Sequence, residues 1–249
     1  MELAKAFETV TLFGIPVSKM NMAQTVRYLS EAVRERRPHQ VVTANPIMVM
    51  TGVEDPEFMK MLRSADMVVP DGAGLVWAAA RLGKPVTERV AGYDLIQELF
   101  RVGSEEGWRV YFLGTTQDVI EAARDNVQER FPGLRFVGCR NGFFGQDEDD
   151  DVISQIVEAS PDLLLVGRST YTQDPWISKY RERLRVPVMI GVGGSFDVMS
   201  GKLKRAPGWM RRLRLEWLYR LLQEPARWRR MLVLPRFAVK VLLYGENLR

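Results

Sequence analysis

The sequence predicts an α/β fold: a Rossmann-like, doubly wound, mostly parallel sheet with a helical, basic C-terminal appendage. Three observations predict it. Short β-rich apolar runs alternate with amphipathic stretches at helical spacing from Thr9 to Val192. Glycine turns follow several of those runs, at Gly72/Gly74, Gly114 and Gly193/Gly194. Charge then changes sign near Gly201–Pro207. Residues 201–249 hold thirteen Lys/Arg against three Asp/Glu, a net of +10, whereas the first 200 residues hold 22 against 28, a net of −6. The expected division is a core over 1–200 and an appendage over 201–249.

The elements follow in order. Thr9–Phe13 and Ile15–Val17 make a short hairpin about Gly14. Asn21 caps a helix from Met22 to Arg36, with Ala23, Val26, Leu29 and Val33 at helical spacing. Gln40–Ala44 is a strand, followed by helices at Ile47–Val53 and Pro56–Ala65. Met67–Val69 is a strand, and Leu75–Leu82 a helix stopped by Gly83-Lys84-Pro85. Asp94 caps a helix running to about Gly103. Strands at Arg109–Leu113, Leu134–Cys139, Leu163–Val166 and Val188–Val192 alternate with helices at Val119–Phe131, Asp151–Ser160 and Trp176–Leu184. The motifs therefore fall at the carboxyl ends of strands, where such sheets bind ligands.

Composition excludes several classes. One cysteine, Cys139, forbids an internal disulfide and any multi-cysteine metal site, and reads as a small strand residue. His39, the only histidine, follows Arg-Arg-Pro at a strand edge, where nothing supplies a triad geometry. The N-terminal stretch lacks a basic segment followed by a long apolar one, so it does not read as a signal peptide. No run of about 18 apolar residues exists. The nearest, Met231–Tyr244, is broken by Pro235, Arg236 and Lys240. The expected location is the cytoplasm.

Residues 68–77, VVPDGAGLVW, place one carboxylate, Asp71, where a strand ends and a helix begins. Spacing alone reads it as a cap or turn residue as readily as a chemical group. Glycines at strand ends let backbone N–H groups approach a phosphate, and several on one sheet edge favour a nucleotide-type ligand. None matches a P-loop. The acidic run at 147–151 reads as a solvated loop and helix start rather than a metal cage. In the tail, Leu213, Trp217, Leu218, Leu221 and Leu222 can share a helix face, with Arg211, Arg212, Arg214 and Arg220 mostly away from it. That pattern suits an interfacial helix on anionic lipid. It also suits a helix packed on its own domain. No nucleic-acid motif accompanies it, so an anionic membrane surface is the expected partner and nucleic acid is not.

Six stretches, taken together, resemble the WecG/TagA/CpsF glycosyltransferases (glycosyltransferase family 26). They are VVTANPIMVM (41–50), ADMVVPDGAGLVW (65–77), ERVAGYDL (88–95), VYFLGTT (110–116), GVGGSFDVMSGKLKRAP (191–207) and RLEWLYRLLQEPARWRR (214–230). The resemblance implies an inverting transferase that moves an N-acetylmannosamine-type sugar from a UDP donor to a polyprenyl-diphosphate-linked N-acetylglucosamine. Its products feed wall teichoic acid or related bacterial surface glycans. It implies no cofactor, no essential metal, and an appendage that engages the inner face of the plasma membrane and completes the site. Self-association is left open. By position, Asp71 matches the general base, and Thr43 and Asn45 match polar residues of the acceptor and sugar pocket. Arg89 matches a pocket arginine, and Gln173 and Asp197 match residues near the nucleotide. Arg220, Arg227 and Arg230 match appendage arginines that reach the diphosphates.

The chain departs from the family pattern at 167–177, GRSTYTQDPWI. Gln173, Asp174 and Trp176 keep their places, but Ser169, Tyr171 and Thr172 stand at the usual glycine, proline and lysine. The missing lysine bears on donor identity and affinity. Besides the main reading, the alternatives are a different UDP-hexose donor for exopolysaccharide, an NAD-linked oxidoreductase, and a non-catalytic membrane or nucleic-acid binding module. The oxidoreductase needs a GxGxxG near the first strand, which is missing, and the binding module leaves Thr43, Asn45 and Asp71 without a purpose. The expectation for truncation near Gly201 is a foldable core with little activity.

Overall fold

The structure is a computed structural model that describes residues 7–213 and 215–244. Arg214, one of the tail cations named above, lies outside the described residues. The chain opens on an antiparallel hairpin of β1 (Thr9–Leu12) and β2 (Ile15–Ser18). Phe13 and Gly14 at its turn both hold positive φ, 54° and 74°, as a two-residue hairpin turn of the I′ type requires. Helix α1 (Met22–Arg34) starts at a capping box: Asn21 accepts from the Gln24 N–H, and the Gln24 side chain accepts from the Asn21 N–H.

Strand β3 (His39–Ala44) leads to α2 (Pro46–Glu54) and α3 (Pro56–Ser64), each begun by a proline after an Asn or Asp cap. Next come β4 (Met67–Pro70), α4 (Ala73–Arg81) and α5 (Gly92–Glu106). Asp94 sits in the first turn of α5 rather than at its cap, which is Ala91. The second half contains β5 (Arg109–Gly114), α6 (Gln117–Arg130), β6 (Arg135–Arg140), α7 (Asp149–Ala159) and β7 (Leu163–Gly167). Helix α8 (Thr170–Leu184) begins earlier than its apolar pattern suggests and carries Pro175 inside. Strand β8 (Val188–Gly191) and the short α9 (Ser195–Met199) end the core.

The six later strands form one parallel sheet in the order β4-β3-β8-β7-β5-β6. Side chains alternate between its faces. Val41, Val69, Val110, Phe112 and Ile190 pack with α1, α5, α6 and α9 on one side. Val42, Val68, Tyr111, Leu113 and Met189 face the other side, under the hairpin, α2–α4, α7 and α8. Helix α2 leaves β3 toward the second face, and α9 leaves β8 toward the first. The neighbours β3 and β8 therefore form a switch point, where a crevice opens beyond the strand ends.

The tail is a chain of helices rather than one long one: α10 (Gly208–Arg212), α11 (Glu216–Gln223), a 3-10 turn, α12 (Trp228–Met231) and α13 (Val233–Tyr244). Pro225 interrupts the pattern after α11. Helix α13 returns to the core. Phe237 and Val241 are buried with the second-face cluster, and the Phe237 ring meets Phe13 at 5.4 Å. The charge boundary near residue 201 is thus not a packing boundary, because residues beyond it complete the core.

Cys139 lies on β6, where partial burial pushes its thiol up to about 11, outside the reactive range. His39 is buried at the start of β3, facing the Tyr28 hydroxyl and the Arg37 carbonyl. That is the strand end opposite the crevice. The acidic run does begin a helix, with one exception to its solvated reading. Asp149 is buried and accepts from the Trp176 indole and the Tyr180 hydroxyl, at 2.7 and 2.6 Å, tying α7 to α8.

Candidate active site

The crevice is a cavity of about 550 Å³ at the carboxyl ends of β3, β4 and β8, roofed by the tail. Register brings its first members together. Thr43 and Ala44 on β3 pair with Val69 and Pro70 on β4, so Asn45 and Asp71 leave adjacent strands side by side. The Asp71 and Gly72 N–H groups both donate to the Ala44 carbonyl, which fixes the turn. Gly92 can approach because it lacks a side chain: a Cβ there would come within 2.9 Å of Thr43. Asn45 has a local duty as well. Its side-chain oxygen caps α2 by accepting from the Ile47 and Met48 N–H groups.

Asp71 is not a cap. Helix α4 starts after Gly72 with no side-chain cap, and the Asp71 carboxylate turns to Arg89, 3.3 Å from Nη2. Arg89 Nε donates to the Asp71 backbone carbonyl, so the pair is held at two points. The Asp71 side chain keeps 27 % of its exposure, but onto the walled cavity rather than open solvent. Burial therefore raises its pKa, against the opposing pull of Arg89 and the Gly92 N–H. Such a carboxylate is a better proton acceptor than one on an open surface.

Gln173 is buried in α8, where its oxygen accepts from the Gly193 N–H at 2.9 Å and its nitrogen donates to Asp174. It both lines the cavity and sets the turn after β8. Gly193 and Gly194 form that turn, and the Arg220 guanidinium lies close over Gly194. Arg220, Arg227 and Arg230 reach the cavity from the tail. Burial and the facing charges of Arg220 and Arg230 lower the Arg227 pKa, a sign of crowded cations. Glu224 is the carboxylate paired with Arg227, at 3.0 Å. An anion with several oxygens would relieve this crowding, and guanidinium forks suit a diphosphate.

Two expected residues stand apart. Gly114 does not line the cavity. It has φ 147°, and a Cβ there would strike the Gly167 carbonyl at 2.3 Å, so its glycine serves close packing of β5 on β7. Asp197 lies beside the Gly194 turn in the first turn of α9 and faces Lys202 at 3.6 Å, bordering the cavity rather than lining it. The missing lysine at 172 is not replaced locally. Thr172 bonds to Ser169, and Arg168 turns away onto the Phe144 ring at 4.3 Å. Among the described residues, no group of three or more His, Cys, Asp or Glu side chains is placed to hold a metal ion.

Sequence reading missed several lining residues: Glu216, Arg205, Tyr93, Tyr171 and Trp217. Glu216 carried a signal, as one of three acids in a strongly basic tail. It bonds Arg89 at 2.9 Å. The aromatic residues carried none, because any amphipathic segment uses such residues.

A doubly wound fold, a desolvated carboxylate and an arginine cluster around one crevice suit group transfer to or from a phosphorylated ligand. The chain belongs to the Glycosyl transferase WecG/TagA/CpsF family, whose model matches residues 10–249. It is similar to an N-acetylglucosaminyldiphosphoundecaprenol N-acetyl-beta-D-mannosaminyltransferase of Bacillus subtilis, 35 % identical over 241 residues that cover 96 % of this chain and 93 % of the relative. The protein of that name from Bacillus spizizenii is 40 % identical over 81 % of this chain and 78 % of its own. That from Staphylococcus aureus is 32 % identical over 93 % and 91 %.

Proposed function

We propose that this protein transfers an N-acetylmannosamine-type sugar from a UDP donor to a polyprenyl-diphosphate-linked N-acetylglucosamine, with inversion and without a cofactor. The observation that carries the reading is the single cavity holding Asp71 on the sheet side and Arg220, Arg227 and Arg230 on the tail side. Family membership and the names of the relatives support it.

The reaction is one displacement. The acceptor hydroxyl oxygen bonds to the anomeric carbon as its proton passes to an Asp71 carboxylate oxygen. The bond from that carbon to the donor phosphate oxygen breaks, and UDP leaves with the electron pair. The arginines meet the charge that develops on the diphosphate. Thr43 and Asn45 orient the sugars, Arg89 holds Asp71, and Gln173 with the neighbouring Asp197 shapes the nucleotide end.

The tail joins this site to a membrane. Trp209, Leu213, Trp217, Leu222, Trp228, Leu232 and Leu243 are exposed along it, and no helix among the described residues is long and apolar enough to cross a membrane. We take residues 201–249 as an appendage in function, resting on the inner face of the bacterial plasma membrane where a lipid-linked acceptor is presented. The substituted segment at 169–172 favours a second reading for the donor alone, a different UDP-hexose, because no cation stands at the family lysine position. A panel of UDP-sugars offered with a short polyprenyl-diphosphate acceptor, read by mass spectrometry, separates the two. The N-acetylmannosamine donor is expected to give the product, and a product with another hexose alone would move the assignment to the second reading.

A further inference from the structure

Arg89 is shared between two carboxylates from different parts of the chain. Its Nη2 stands 3.3 Å from Asp71 and its Nη1 2.9 Å from Glu216 on α11. The other Glu216 oxygen faces Arg205 Nε at 3.6 Å, and Arg205 bonds Asp94 at 2.7 Å. The Arg205 guanidinium also lies 4.6 Å from the centre of the Tyr93 ring. Glu216 and Arg89 are each about a quarter exposed, so their charges interact through little water.

We propose that Glu216 is a positioning residue: when the tail roofs the cavity, its carboxylate takes Arg89 away from full pairing with Asp71 and so leaves Asp71 able to accept the acceptor's proton. The inference rests on the reading of Asp71 as the base. The two carboxylates compete for Arg89. Arg89 has two outer nitrogens, and the shorter bond goes to Glu216. Without that carboxylate, the fork is free to grip Asp71 bidentately, and a gripped carboxylate is a weaker base. A tail lifted from the core would remove Glu216 in the same way. The base is then strongest when the roof, with its three arginines, is closed over the donor.

The charged groups facing Asp71 are few. Arg89 comes from the segment before α5 and Glu216 from α11, with Arg205 and Asp94 beyond them. Arg220, Arg227 and Arg230 line the same cavity. Glu216 raises the Asp71 pKa and Arg89 lowers it. Removing the Glu216 charge therefore shifts Asp71 titration in one direction only, downward.

The test is Glu216→Gln in the full chain, beside Asp71→Asn. Transfer from UDP-N-acetylmannosamine to a short polyprenyl-diphosphate N-acetylglucosamine is followed as kcat/KM against pH. The acid limb is expected to move about one pH unit lower, with an alkaline plateau roughly threefold lower because the base is weaker. Carboxyl-labelled aspartate, assigned through Asp71→Asn, gives the same downward shift by NMR without any turnover. An unmoved limb and an unmoved NMR titration, with Asp71→Asn inactive, overturn the role of Glu216 alone. A fall in rate with no such shift marks a tether for the tail and overturns it too. Near-full turnover by Asp71→Asn overturns the base assignment and this inference with it.

Discussion

At the scale of single residues, two aspartates are forced away from their ordinary ionisation by burial, for different ends. Asp71 opens on the cavity and has Arg89 to hold it. Asp174 does not: it is buried in α8 beside Gly191, and one of its carboxyl oxygens has no partner. Burial pushes Asp174 up to about 7. The folded state then binds a proton that the unfolded chain, titrating near the ordinary value of about 4, has already released. Stability contributed by this group is complete at low pH and declines as pH rises from about 4 to about 7. Asp174→Asn is expected to flatten that slope and to gain on the order of a few kcal/mol at pH 8, read from urea unfolding at several pH values. An unchanged slope would mean that Asp174 is ionised in the fold.

At the scale of elements, the tail helices have two jobs. Helix α11 supplies Arg220 and Glu216 to the cavity, while α13 supplies Phe237 and Val241 to the core. Arg227→Ala is expected to lower kcat by about a hundredfold with little change in melting temperature, since in the proposed reaction it removes charge from the leaving-group side of the cavity. Phe237→Ala is expected to cost about 3 kcal/mol of stability, because it empties a buried ring site against Phe13. The strands and most helices were legible in the sequence, because apolar runs such as Leu163–Val166 are bounded by glycine, proline or capping residues. The start of α8 was not, because Thr170–Pro175 has no apolar face and a proline in place. The return of α13 was not, because Phe237 and Val241 read equally well as lipid-facing residues. At the site, residues at strand ends were legible, since strand order and glycine turns place them. Glu216, Arg205 and the aromatic lining depend on how the tail folds over the sheet, and no local pattern reports that. Gly114 lies outside the cavity and packs on Gly167, and the sequence does not separate a packing glycine from a phosphate-binding one at a strand end.

At the scale of the whole molecule, the tail both lines the cavity and completes the core. A chain ending at residue 200 loses the arginine roof and uncovers apolar surface on α2 and α4, against which α13 packs. It is expected to lose transfer activity and to melt roughly 5 °C or more lower, measured by a thermal scan beside the assay. A truncated chain with full stability and activity would show that the tail is dispensable. The basic tail is also expected to bind anionic vesicles, with binding that weakens as salt rises from 50 mM to 500 mM. In the proposed reaction Asp71 removes the acceptor proton in a cavity lined by the tail arginines. The most direct test is single-turnover transfer by the full-length Asp71→Asn protein, with UDP-sugar binding measured separately by calorimetry. A rate loss of about a hundredfold or more with donor affinity retained is expected; near-normal turnover with normal donor binding would show that Asp71 is not the base.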